Sequence, residues 1–178
     1  MGNEEWRELL ETEGPWLLIV RHGKTGGDRY AGFSEVEKEE RRGERILSAV
    51  GWAEAELAGQ FLAAGEVEPT NVYASPRYRA RDTARLLFGR YETLDELRSA
   101  DAGLRGVAKL QEQMAAIAEE KRRDVWVTHS PNILDLLGFG AREGQMFLLV
   151  WEDSGWNVGG TWRIDLVSTP QNPEQFSP

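Results

Sequence analysis

Trp16-Leu17-Leu18-Ile19-Val20-Arg21-His22-Gly23 sets five consecutive apolar residues against an abrupt polar end. The run is short, with Gly14-Pro15 before it and Arg21-His22-Gly23 after it. It therefore reads as a β-strand buried on both faces. Such strands belong to mostly parallel sheets whose two sides are covered by helices, so this stretch points to an α/β chain.

The rest of the chain supports that reading. Residues 71–74 and 124–128 form two further short strands, and the second ends directly on His129. Ser48 is placed to cap a helix whose apolar stripe is Val50, Ala53, Leu57, Ala58, Phe61 and Leu62, with Gly65 as its stop. Ser75-Pro76 opens another helix, with Ala80, Thr83, Ala84, Leu87 and Phe88 on its buried side. Helices over 101–121 and 131–137 and strands near 145–151 and 161–167 complete the pattern. Trp6, Leu9 and Leu10 lie at helical spacing within residues 4–11. Residues 23–46 form a long polar loop with one exposed helical turn, and the mixed charges of 35–45 read as a solvated face. Trp126, Trp151, Trp156 and Trp162 read as core and edge packing. The expected organisation is one domain over 1–169 and a disordered tail over 170–178.

The resulting fold class is a three-layer α/β/α sandwich with a mostly parallel central sheet. Ligands of such sheets bind beyond the carboxyl ends of the strands. Strands 16–20 and 124–128 each run into a histidine, so His22 and His129, the two histidines of the chain, belong at one edge of one sheet.

Composition narrows the chemistry. The chain has 178 residues, no cysteine and a formal charge of −9. Disulfides, thiolate zinc sites and cysteine nucleophiles are excluded, and a multi-histidine metal site would need carboxylates to complete it. The acidic balance disfavours nucleic acid and anionic membranes as partners. No stretch approaches the ~18 apolar residues of a membrane span, and residues 1–10 lack the order of a signal peptide. The expected location is the cytoplasm.

A neutral imidazole attacks phosphorus well, and neighbouring arginines favour its neutral form while holding phosphate oxygens in paired hydrogen bonds. Arg21-His22 fits that role, although Arg-His-Gly can also close a strand for structural reasons alone. His129 could donate to a phosphoryl group and stabilise transition-state charge. Arg79 lies in the first turns of a helix that follows a strand, a position already favourable to anions. Arg77, Arg81 and Arg85 read as surface charges paired with Asp82 or solvent.

These residues together resemble the histidine phosphatase superfamily, whose members share a phosphoglycerate-mutase-like fold. Arg21-His22-Gly23-Lys24-Thr25 is similar to its Arg-His-Gly-x-Thr signature. Leu47-Ser48-Ala49-Val50-Gly51-Trp52-Ala53-Glu54-Ala55 is similar to its Leu-Ser/Thr-x-x-Gly-x-x-Gln-Ala helix start, with Glu54 in place of glutamine. Ser75-Pro76-Arg77-Tyr78-Arg79-Ala80 through Thr83-Ala84 resembles its Ser-Pro-x-x-Arg-Ala-x-x-Thr-Ala segment, and Val127-Thr128-His129 its second histidine strand. The resemblance implies a metal-independent phosphatase, without cofactor, in which His22 is the nucleophile. It implies Arg21, Thr25, Arg79 and His129 around the phosphoryl group. Leu94-Asp95-Glu96 aligns with the segment that often carries the proton donor, which makes Glu96 the first choice and Asp95 and Glu92 the alternatives.

Two departures stand out. Asp28 occupies a position where the first motif often continues to asparagine, and Ser130-Pro131-Asn132 follows the second histidine where glycine is common. The second spelling resembles a small bacterial phosphatase branch. The implied partner is a phosphorylated small molecule or a phosphoprotein. Family mutases usually insert a sizeable segment after the Ser-Pro helix, and only residues 90–123 separate it from the next strand here. The alternatives are a phosphohistidine-protein phosphatase and a non-catalytic phosphoanion-binding module.

Overall fold

The computed structural model describes residues 14–26, 34–98 and 103–166. The expected helix over 4–11, Asp28 and the tail over 170–178 lie outside the described residues. Six strands form one sheet: β1 (Trp16–Arg21), β2 (Asn71–Ala74), β3 (Glu92–Thr93), β4 (Arg123–Thr128), β5 (Met146–Glu152) and β6 (Gly155–Trp162). Their order is β3-β2-β4-β1-β5-β6. The β3, β2, β4 and β1 pairings are parallel, while β5 and β6 join antiparallel. The helices are α1 (Glu35–Glu40), α2 (Ala49–Ala64), α3 (Tyr78–Phe88), α4 (Gly103–Glu119) and α5 (Ser130–Leu137), with a 3₁₀ turn at Asp95–Leu97.

Alternation along β1 builds the three layers. Leu18 and Val20 face Ala58 and Leu62 of α2 and Ala80, Ala84 and Leu87 of α3. Leu17 and Ile19 face Leu110, Met114 and Ile117 of α4 and Ile133 of α5. Leu17, Leu18, Ile19 and Val20 are all fully buried. At roughly 2 kcal/mol for each such side chain, this strand anchors both halves of the core. Trp126 is buried in the same core, and Trp151 meets Trp156 edge-on across the β5–β6 hairpin with ring centroids 5.4 Å apart. Among the described residues no helix is long and apolar enough to cross a membrane.

Three local expectations are corrected. The buried side of α2 is Gly51, Glu54, Ala55, Ala58, Gly59 and Leu62, whereas Val50 and Leu57 of the expected stripe are exposed. Close approach selects that face. A Cβ on Gly51 would collide with the Lys24 carbonyl, and one on Gly59 with the Leu86 carbonyl. Helix α3 begins at Tyr78 rather than at Ser75-Pro76, because the buried Ser75 hydroxyl is bonded to His129. Glu44, from outside the helix, supplies the cap by accepting from the Tyr78 N–H at 3.0 Å. The last strand lies at Gly155–Trp162 instead of 161–167. Asp153 and Ser154 take left-handed conformations (φ 48° and 68°) that turn the chain straight back. The Gly159-Gly160 pair is absorbed at an irregularity in the β5–β6 register.

Candidate active site

The sheet delivers both histidines. β1 and β4 run parallel in register, Arg21 opposite Thr128, and the ladder extends one step further as the His22 N–H donates to the Thr128 carbonyl at 3.0 Å. His22 and His129 therefore lie side by side, ring centroids 5.2 Å apart at 62°, each 3% exposed.

Their proton positions follow from their partners. His22 Nδ1 lies 2.9 Å from the Gly23 carbonyl oxygen. A carbonyl only accepts, so Nδ1 carries the proton and Nε2 keeps its lone pair. Arg79 Nη2 lies 3.2 Å from His129 Nδ1. A guanidinium only donates, so that nitrogen accepts, and His129 Nε2–H donates to Ser75 Oγ at 2.8 Å.

Electrostatics hold both rings neutral. Burial pushes His22 down to about 3; the Gly23 carbonyl opposes this, while Arg79, Arg21 and Arg45 lower it further. Burial likewise takes His129 to about 3, with Arg79 next in effect and His22, Arg77 and Arg21 after it. A chain that is acidic as a whole thus concentrates guanidinium groups around two imidazoles.

Helix α3 reaches the site through a short relay. Gly23 N–H donates to Thr83 Oγ1 at 2.9 Å, and that hydroxyl donates to the Arg79 carbonyl at 2.7 Å. Arg21 Nη1 donates to the Ala141 carbonyl at 2.6 Å. The Nε–H groups of Arg21 and Arg79 are buried without a hydrogen-bond partner among the described residues.

Thr25 and Arg21 meet a residue that sequence reasoning missed. Thr25 Oγ1 donates to Glu143 Oε1 at 2.8 Å and Thr25 N–H reaches Oε2 at 3.3 Å. Arg21 Nη2 is 3.6 Å from the same Oε1. Arg45 Nη2 bonds Thr25 Oγ1 and lies 3.1 Å from Glu143 Oε1. Backbone bonds fix the loop that carries Glu143: Gly144 N–H to the His22 carbonyl and Arg21 N–H to the Gln145 carbonyl, both 2.9 Å.

The charged segment around 41–45 is likewise not simply a solvated face. Arg41 forms a buried two-point ion pair with Asp82, Nη2 to Oδ1 at 3.0 Å and Nε to Oδ2 at 3.3 Å. Its guanidinium and that of Arg81 flank the Tyr78 ring at 4.5 and 4.7 Å. This clamp straps the segment across the start of α3, which places Glu44 on the helix N-terminus and Arg45 at Thr25.

Glu96 lies in the 3₁₀ turn at the end of β4. Asn132 Nδ2 donates to its carbonyl at 3.4 Å and to Thr128 Oγ1 at 2.9 Å. Its carboxylate accepts from Lys109 Nζ at 3.0 Å. Its own backbone N–H and Lys109 hold the carboxyl below the usual range, an environment that favours the ionised form. Asp95 is largely exposed beside Arg98, and Glu92 is exposed in the edge strand β3. Lys24 turns away from the histidines. Its Nζ bonds Glu54 Oε1 at 2.7 Å and Asp165 Oδ1 at 2.8 Å, which accounts for a carboxylate where the motif usually has glutamine. Among the described residues no group of three or more His, Asp or Glu could hold a metal ion.

The chain is similar to several known proteins. An acid phosphatase of Mycobacterium tuberculosis is 41% identical over 73 residues. That match takes in 39% of this chain and only 32% of the relative, about a third of its length. The solved structure of the protein histidine phosphatase SixA complexed with tungstate superposes with a TM-score of 0.61 at 21% identity, over 83% of this chain and 96% of that one. The mycobacterial glucosyl-3-phosphoglycerate phosphatase Rv2419c, complexed with VO3, gives 0.61 at 19% identity, over 85% and 100%. Those two likenesses speak for the fold, a phosphoglycerate-mutase-like α/β sandwich. The model of the histidine phosphatase superfamily (branch 1) matches residues 17–142, and this chain belongs to that superfamily.

Proposed function

We propose that the chain is a metal-independent phosphatase that hydrolyses a phosphate monoester through a phosphohistidine formed on His22. The observation that carries this reading is the His22 tautomer: Nδ1 is committed to the Gly23 carbonyl, so the neutral ring presents Nε2 beside Arg21, Arg79 and His129. In the first step Nε2 attacks phosphorus and the ester P–O bond breaks. Arg21, Thr25 and Arg79 hold the phosphoryl oxygens and offset their growing charge, and His129 joins them in its other tautomer, with Ser75 O–H donating to Nε2 and Nδ1–H turned from Arg79 to a phosphoryl oxygen. Water then attacks phosphorus, the P–N bond breaks, and inorganic phosphate leaves.

A poor leaving group needs a proton as its bond breaks. Glu96 is the candidate donor, and its ion pair with Lys109 works against that role. Good leaving groups need no acid. The same observation favours one second reading, a phosphohistidine-protein phosphatase, because an imidazole leaves phosphorus readily. Either way the partner is a phosphorylated small molecule or phosphoprotein in the cytoplasm, not nucleic acid or membrane, in keeping with the charge of −9.

The test is hydrolysis of an aryl phosphate in EDTA by wild type and His22→Ala. Wild type turns over and the variant does not. Activity in the variant would sink the nucleophile, and loss in EDTA would sink metal independence. A wild type that binds phosphate but hydrolyses nothing would be the non-catalytic module. Glu96→Gln lowers turnover of alkyl phosphates if Glu96 is the acid, and leaves phosphohistidine turnover unchanged if the second reading holds.

A further inference from the structure

The four donors that meet Glu143 form an anion cradle filled by the protein itself. Thr25 Oγ1, Arg21 and Arg45 converge on Oε1 and Thr25 N–H on Oε2. Two of these residues, Arg21 and Thr25, are ones the proposed mechanism needs for the phosphoryl group. A carboxylate and a phosphoryl group are alternative acceptors for the same guanidinium and hydroxyl donors. They also repel each other, so the seat does not hold both with full hydrogen bonding.

The surroundings allow exchange. The backbone of the Glu143 loop is pinned to β1 on either side of the catalytic turn, yet its side chain is 21% exposed and that of Arg45 is 64% exposed. The carboxylate has an open side toward solvent, while Arg21 and Thr25 stay where the sheet and the Thr25–Leu47 bridge hold them.

We propose that Glu143 is an internal competitor for the phosphoryl seat, displaced when substrate binds and returning to expel inorganic phosphate. It determines the affinity of the site for phosphate rather than performing a chemical step. This inference rests on the same site being a phosphoryl site.

The test is direct binding of inorganic phosphate, by isothermal titration calorimetry near neutral pH, to wild type and Glu143→Gln. The glutamine keeps the size and removes the charge, and binding tightens by about tenfold or more. Phosphate becomes a correspondingly stronger inhibitor of any ester hydrolysis. Glu143→Asp retains the charge but lacks the reach, and it also binds phosphate more tightly, which serves if the glutamine variant does not fold. Equal or weaker binding in whichever variant folds overturns the proposal and makes Glu143 a residue that positions Arg21 and Thr25. A wild type that binds phosphate without hydrolysing esters defeats the hydrolase reading alone; a Glu143→Gln enzyme that hydrolyses esters but binds phosphate no better defeats this one alone.

Discussion

Arg79 and His129 are joined nitrogen to nitrogen, guanidinium Nη2 to imidazole Nδ1 at 3.2 Å. One arm of the fork fixes the tautomer of the second histidine, and the Arg79 Nε–H is left without a hydrogen-bond partner among the described residues. A lysine offers a single charge centre and cannot serve both ends. Arg79→Lys should lower kcat/KM on an aryl phosphate by about 10²-fold. Steady-state kinetics check this, and a change within about threefold would show that only the charge matters.

Both histidines should stay neutral well below the ordinary imidazole range. With two in the chain, the ring signals assign by comparison with His22→Asn, and NMR titration should show neither protonating between pH 8 and pH 5. A midpoint near 6.5 in the folded protein would contradict the burial argument.

The same shifts set an acid limit on stability. Each folded-state value is about 3, below the unfolded value of about 6.5. Between those values the unfolded chain binds more protons than the folded one. The histidines therefore cost nothing above pH ~6.5 and destabilise progressively as pH falls, by at most about 1.4 kcal/mol per pH unit each. Urea denaturation at pH 7 and pH 5 should show a smaller loss for His22→Asn than for wild type.

Breaking the Arg41–Asp82 pair should be expensive, since both partners are buried. Asp82→Ala removes both carboxylate bonds to the buried Arg41 guanidinium and should cost about 3–5 kcal/mol in chemical denaturation. Arg41→Met with Asp82→Leu should recover much of that stability. The double variant should still lose activity, because Arg45 is no longer strapped to Thr25.

Gly51→Ala should be more damaging than its surface neighbour Val50→Ala. The added methyl meets the Lys24 backbone, the residue two places after His22. A loss of about 1–3 kcal/mol is expected, with reduced turnover from a displaced catalytic turn. Thermal melts and aryl phosphate kinetics measure both.

Much of the sheet was legible because the signal is local. The apolar runs of β1 and β4 each end on a histidine, and strand ends at one edge of a parallel sheet converge whatever the loops do. The face of α2 was hidden because hydrophobicity points at Val50 and Leu57, whereas closeness to Lys24 and Leu86 selects Gly51 and Gly59. The start of α3 was hidden because its cap, Glu44, comes from another segment. Arg45 and Glu143 were hidden for a related reason. In a sequence they are two charges 98 residues apart, indistinguishable from surface residues, and only the Arg41–Asp82 clamp and the loop before β5 bring them together. Glu54 was visible as a departure, but its partner Lys24 was not.

The pairing register of β1 with β4 has a wider consequence. The two imidazoles are neighbours because Arg21 faces Thr128, and that match belongs to the most deeply buried ladder of the molecule. Hydrogen exchange at the His22 amide, which donates to the Thr128 carbonyl, should accordingly report the slowest, whole-molecule opening, while the segment around Arg45 exchanges through local fluctuations. On the proposed reading, the chemistry at phosphorus is inherited from the core. What the site admits falls to the exposed side chains of Arg45 and its neighbours at the rim, which the core anchors but does not bury.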